Sequence, residues 1–277
     1  MEWLEDNKIP IGKWVEAFVD WLTINFVWFF DGLSAVLEGI IFGLLWILQT
    51  PHAFVVIGAI AAIAWIVKRS IAFAAFTGLG LLLIVNQGYW EETTETLALV
   101  LASAAVCMGV GVPLGIAAAR RPWLFRAMEP VLDLMQTIPT FVYLIPALIL
   151  FGLGMVPGLI ATVIFAIPAP IRLTHLGITS TPKALIEAGT AFGSTPFQMM
   201  WKIELPYALP QIMAGLTQTI MLSLSMVVIA ALVGADGLGV PTLRALNSVN
   251  IAKGFEVGIA IVLVAIIFDR MFKRRSA

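Results

Sequence analysis

The sequence predicts an all-α polytopic membrane protein of about seven transmembrane helices, preceded by an amphipathic N-terminal helix. Two observations carry this. Of 277 residues 60% are hydrophobic and 12% charged, where a soluble domain has about 25% charged residues. The apolar residues also gather into runs close to the roughly 17–25 residues that a helix needs to cross a bilayer. A net charge of -1 leaves no basic patch for nucleic acid.

The elements follow in chain order. Residues 3–14, WLEDNKIPIGKW, carry acids where a secretory leader has bases, so no leader is expected. Lys13, Glu16, Asp20 and Thr23 share one helical face, and Trp14, Phe18, Trp21 and Leu22 another, which fits a helix lying in the interface. The run 34–48 is marginal because Glu38 sits inside it. It lies in the interface or crosses at a tilt, and in the second case the spans number eight and the N-terminus is inside. Residues 1–50 thus form an interfacial N-terminal region. Spans are then expected at 52–67, 71–87, 96–118, 130–152, 157–178, 211–234 and 254–272.

Basic residues set the orientation. Lys68 with Arg69, Arg120 with Arg121 and Arg126, Lys183 with Lys202, and Lys273 to Arg275 fall at loops separated by even numbers of spans. All four sites therefore lie on the cytoplasmic side. The loop NQGYWEETTET (86–96) has three glutamates and no Lys or Arg, and it faces out.

The polar stretch EAGTAFGSTPFQMMWKIELP (187–206) lies between two apolar runs. Thr181 before Pro182 reads as an N-cap with proline at the first helical position. The helix then stops at Gly193, a residue suited to C′. Thr195 and Gln198 have the spacing of a capping box. A second helix, FQMMWKIE, is expected to end before Leu205-Pro206. Two short capped helices at an angle result, with small residues (Ala188, Gly189, Ala191) offering close approach. An amphipathic loop lying on the membrane would read the same way.

The spacing Glu187-Ala188-Gly189, then Gly193, then Ile203 and Leu205-Pro206 resembles the EAA motif of binding-protein-dependent ABC importer permeases, with Gly189 where the motif has alanine. The stretches 132–154, 165–178 and 224–239 are similar to those of permeases for quaternary amines such as glycine betaine, proline betaine or choline. The resemblance implies a MetI-like ABC permease fold for residues 51–277, in the bacterial inner membrane. It makes 181–207 a cytoplasmic coupling loop that docks on an ATPase through Glu187, Ala188, Gly189, Gly193, Ile203, Leu205 and Pro206. It implies two ATPase copies, a separate substrate-binding protein, a permease homodimer, and an outer gate or binding-protein contact at Asp236, Gly237 and Gly239.

Other residues carry less. The chain has no GxxxxGK[ST] phosphate loop, so ATP hydrolysis is expected in a partner and no cofactor in this chain. His52 and His175 are far apart in sequence and Cys107 is the one cysteine, so metal-ligand spacing is lacking. GVGVPLG (109–115) lacks nucleotide-loop spacing and reads as close helix packing. Tyr89 and Trp90 read as part of an aromatic belt. Polar residues in spans are costly: Gln211, Gly215, Gln218 and Ser225 near one stripe with Thr219 and Ser223 beside it, and Asp133, Gln136 and Thr137 before Pro139. They line a translocation path or gate, or they bond helix to helix. Two other functions stay open: an ion-coupled secondary carrier, which would need coupling-ion ligands and internal repeats, and a membrane scaffold.

Overall fold

The computed structural model describes residues 9–273, all helices and connections. The start of the leader reading and Arg274 and Arg275 of the basic tail lie outside the described residues. Five helices are long and apolar enough to cross a membrane. A sharply bent pair makes a sixth candidate, and two shorter apolar helices accompany them.

Helix α1 (Ile11–Asn25) has the expected amphipathic register, with Trp14, Phe18 and Trp21 uncovered. Its Val15 and Val19 face a groove shared with Val142, Tyr143 and Ile149. The marginal run 34–48 belongs to a 23-residue helix, α2 (Val27–Gln49), long enough to cross. Glu38 is exposed there and lines an open pocket with Glu95, Asp236 and apolar residues. Gln49 ends the helix by donating to Thr94 Oγ1 at 2.9 Å. Helices α3 (Ala53–Lys68) and α4 (Ile71–Asn86) form a hairpin that turns at Arg69, held at φ 48°. The Ser70 side chain caps α4 by accepting from Phe73 N.

Helix α5 (Trp90–Arg120) has 31 residues and is therefore about 46 Å long. The predicted single span 130–152 is corrected. The chain there forms α6 (Pro122–Thr137) and α7 (Thr140–Phe151), bent by 96°. Pro139 is the cause: it forces Ile138 out of the helical region, to φ −65° and ψ 130°. The span 157–178 is a 25-residue segment, Met155–Thr179, built from α8 (Met155–Ala166) and α9 (Pro168–Thr179). After the polar loop, described below, come α12 (Leu205–Ala230), the short α13 (Gly239–Asn247), which had no counterpart in the sequence reading, and α14 (Ile251–Phe272). Asn250 caps α14 by accepting from Lys253 N at 3.1 Å.

Helix α9 is gripped between α5 and α12 by small residues. A Cβ on Gly111 would lie 2.9 Å from Pro170, and one on Gly115 2.7 Å from the Ile171 carbonyl oxygen. On the other side, Gly215 would meet Pro170 Cα at 3.2 Å and Gly177 would meet Ala208 Cβ at 3.0 Å. GVGVPLG is thus a small-xxx-small crossing, which lets backbones approach where no hydrophobic effect drives association.

The basic sites meet at one end of the bundle. Lys68 Nζ donates to the Lys273 carbonyl, Lys273 lines a pocket with Pro210, and Arg120 binds the 196–204 segment. That is the arrangement required of a cytoplasmic face. At the other end, Tyr89 packs on the main core cluster with its hydroxyl 3.4 Å from Glu256 Oε2. Burial and then the Glu256 charge hold its pKa above the ordinary tyrosine value.

Candidate functional site

The polar loop is a folded unit. Its first helix, α10, spans Lys183–Ala191. It starts one residue later than predicted: Pro182 is the N-cap, at ψ 134°, and Thr181 is buried with its hydroxyl unpaired. Proline cannot hold a helical residue before it at low cost, so Thr181 stays outside the helix. The stop is as predicted. Gly193 takes φ 74°, and Gly193 N and Ser194 N donate to the carbonyls of Thr190 and Gly189, the two bonds of a Schellman motif. Alanine at 193 meets no neighbouring atom, so its whole cost is the left-handed backbone, about 1 kcal/mol. Gly193→Ala is expected to raise hydrogen exchange in 183–199 and leave the thermal midpoint of the bundle unchanged.

The capping box is formed. Gln198 N donates to Thr195 Oγ1 at 3.3 Å, and Thr195 N to Gln198 Oε1 at 3.0 Å. The second helix does not end before Leu205. Helix α11 (Pro196–Met199) passes through a π-helical turn, Met200–Glu204, directly into α12. The wider turn absorbs the missing N–H of Pro206 at the start of α12.

The two halves of the loop close on each other through Gly189. It is buried, and a Cβ there would come within 2.5 Å of Ile203 Cδ1 and 2.8 Å of Met199 Cε. Its smallness therefore serves packing inside the loop and not an outer docking surface. Glu187 and Ala188 are exposed. So are Phe192 (91%), Phe197 (68%) and Trp201 (51%), with Phe197 and Trp201 rings 6.0 Å apart. Leu205 packs with Ile178, Ala208 and Ile212, and Pro206 is exposed.

The polar stripe on α12 divides in two. Gly215, Thr219 and Ser223 are buried, and the two hydroxyls donate to carbonyls four residues back, at 2.8 Å each. Those three serve packing. Gln211, Gln218 and Ser225 are exposed, as are Ala214 and Met221, and Ala214 and Gln218 line a pocket shared with Asp269 and Phe272 of α14 and with Lys273. Asp133 belongs to a different place. Its carboxylate accepts from Arg172 at 2.5 Å, tying α6 to α9, and its carbonyl accepts from Thr137. Helix α9 lies between these two groups, with Gly177 against Gln211 on its far side. His175 stacks on Phe125 at 3.7 Å.

In the outer segment, Asp236 is exposed while Gly237 and Gly239 are buried. Gly237, at φ 123°, sits on Thr96, whose Oγ1 accepts from Leu238 N at 2.9 Å. A Cβ on Gly239 would lie 2.3 Å from the Val227 carbonyl oxygen. Of the three residues expected at an outer gate or a binding-protein contact, only Asp236 offers an exposed side chain, and the glycines are in close packing contact. Sequence reasoning also missed Glu204, whose carboxylate accepts from Arg120 Nη2 at 2.8 Å. A lone acid between Ile203 and Leu205 was the available signal, but its partner is 84 residues away.

Several helices long and apolar enough to span, with a folded polar loop at the basic end, define a polytopic membrane protein. The chain matches the family described as binding-protein-dependent transport system inner membrane component over residues 111–274, and it belongs to that family. It is 49% identical to the glycine betaine transport system permease protein OpuAB of Bacillus subtilis, over 95% of this chain and 93% of that protein. It is 43% identical to the glycine betaine/proline betaine transport system permease protein ProW of Escherichia coli, over 95% of this chain and 74% of that one. Among solved structures, the methionine ABC transporter MetNI in an inward-facing conformation matches with a TM-score of 0.57 and 25% identity, over 63% of this chain and 88% of the other. The fold is thus that of MetI-type permeases, and the chain is a multi-pass inner-membrane permease component, not an enzyme.

Proposed function

We propose that this chain is the membrane-spanning subunit of an ATP-driven importer of quaternary ammonium compounds, glycine betaine or choline. Two copies form the pathway, two ATPase subunits sit beneath them, and a separate binding protein delivers substrate from outside. The observation that carries this reading is the loop 181–207: a self-packed unit, rigid by its Schellman motif and capping box, that leaves Phe192, Phe197 and Trp201 uncovered at the basic end. Exposed aromatic anchors around a stiff helix are what a groove on a partner recognises. Glu187 and Ala188 extend this outer surface. Gly189, Gly193, Ile203, Leu205 and Pro206 hold its shape.

The exposed Gln211, Gln218 and Ser225 suit either the second copy or an aqueous path, since burying glutamine amides in lipid is costly. Asp133, Gln136 and Thr137 lie at the α6–α7 bend, a break of the kind that lines a cavity in transporters. Asp236 lies in the outer gate. ATP-driven movement of the loop then switches the path between its two sides. The names of the 43–49% identical relatives support glycine betaine, and choline rests on the family resemblance of the sequence alone.

Co-purification tests the architecture. The cognate ATPase is expected to remain bound, in equal amount, to wild-type chain extracted in detergent. A chain that retains no ATPase while staying monodisperse would overturn the reading in favour of a carrier or a scaffold.

A further inference from the structure

Helix α5 is bonded at both ends to segments that the proposed function requires to move together. At the basic end Arg120, its last residue, donates through Nη2 to Glu204 Oε2 at 2.8 Å and to the Pro196 carbonyl at 3.3 Å. These acceptors mark the two ends of the stretch between the capping box and α12. Pro196 is the first residue of α11 and Glu204 the last of the π turn. One guanidinium therefore braces the stretch from end to end. The Glu204 side chain is only 12% exposed and that of Arg120 36%, so losing the partner would leave a largely covered carboxylate uncompensated. The π turn itself is the kind of irregularity found at functional hinges.

At the opposite end of α5, Thr96 accepts from Leu238 N and supports Gly237. Between them the helix is packed on α2, α8, α9 and α12, and so moves as a rod. Among the described residues, the ion pairs are Arg120–Glu204 and Arg172–Asp133. The first ties the polar loop to α5, beside the covalent path from the loop through the π turn into α12.

We infer that Arg120 and Glu204 are positioning residues that join the 181–206 loop to α5, so that displacement of the loop is carried to the Asp236–Gly239 segment. The inference rests on the coupling reading of that loop. Without the brace, a docked ATPase moves the loop together with α12, and α5 follows only through its packing on α12. With it, loop, α12 and α5 are also fastened at the π turn. The consequence is specific: the pair governs how much transport each ATP yields, rather than whether the ATPase binds.

The test uses the whole importer in proteoliposomes and measures ATP hydrolysed per glycine betaine imported. Glu204→Gln keeps the side-chain shape and removes the negative charge, and Arg120→Gln removes the positive charge and shortens the side chain. Both are expected to retain the ATPase and to raise that ratio about tenfold, the effect of one charge-assisted bond lost from the working state. The exchange Arg120→Glu with Glu204→Arg is expected to bring the ratio back toward wild type. An unchanged ratio in the single variants overturns the inference. So does loss of ATPase retention in both, without recovery in the exchange, since the pair would then only shape the loop. A wild-type complex with no ATP-driven uptake removes the coupling reading itself.

Discussion

Gly239→Ala is expected to keep the outer end of the bundle from closing. The new Cβ would stand 2.3 Å from the Val227 carbonyl oxygen and 2.9 Å from its carbon. Both are backbone atoms of α12, so no side-chain rotation relieves the overlap. Either α13 or α12 must shift, and Val227 is itself in the main core cluster with Leu238. Overpacking of this kind costs about 1–3 kcal/mol and more where the neighbour cannot give; the upper end applies here. A fall in the thermal midpoint and in monodisperse yield is the result to look for. Gly58→Ala is the matched control: it meets no atom within 4 Å inside α3, and helix propensity favours it by about 0.8–1.0 kcal/mol. Equal behaviour of the two would refute the packing argument.

Phe192→Asp combined with Trp201→Asp is expected to abolish ATP-dependent uptake while leaving the bundle folded. Both side chains stand in the open in the isolated chain and neither belongs to a core cluster, so their loss removes no internal contact of weight. In a docked complex each would be an anchor worth about 2 kcal/mol or more. Two lost anchors plus two introduced charges amount to a loss of affinity on the order of a thousandfold. Parallel measurement of uptake, ATPase retention and thermal midpoint separates docking from folding. Retained ATPase with normal uptake would show that the docking surface lies elsewhere.

Comparing these residues with the sequence reading shows where local information ends. The Gly193 stop and the Thr195–Gln198 capping box were legible because each is made by residues within five positions of one another. The membrane spans were legible wherever apolar length alone decides. The α6–α7 break was not, although Asp133, Gln136 and Thr137 interrupt the run just before Pro139, because membrane helices often tolerate proline. Helix α2 was undersized because Glu38 looked like a breach, whereas the fold supplies a pocket for it. The sequence reading put Gln211, Gly215, Gln218 and Ser225 near one stripe of α12, but periodicity does not say which residues a neighbour covers, and Gly215 is buried. That required knowing that α9 brings Pro170 against Gly215. Gly189 shows the same limit: its place in the motif was readable, and its burial under Met199 and Ile203 was not. Arg120 was readable as a mark of orientation only, since its partner comes from a distant segment.

The most direct test of the central claim is uptake of radiolabelled glycine betaine and choline into proteoliposomes that hold this chain, its ATPase and its binding protein, with ATP inside. The account predicts accumulation that needs all three proteins and ATP, and that disappears with the Phe192→Asp and Trp201→Asp variant. Uptake driven by an ion gradient in vesicles holding this chain alone would contradict it and make the chain a secondary carrier.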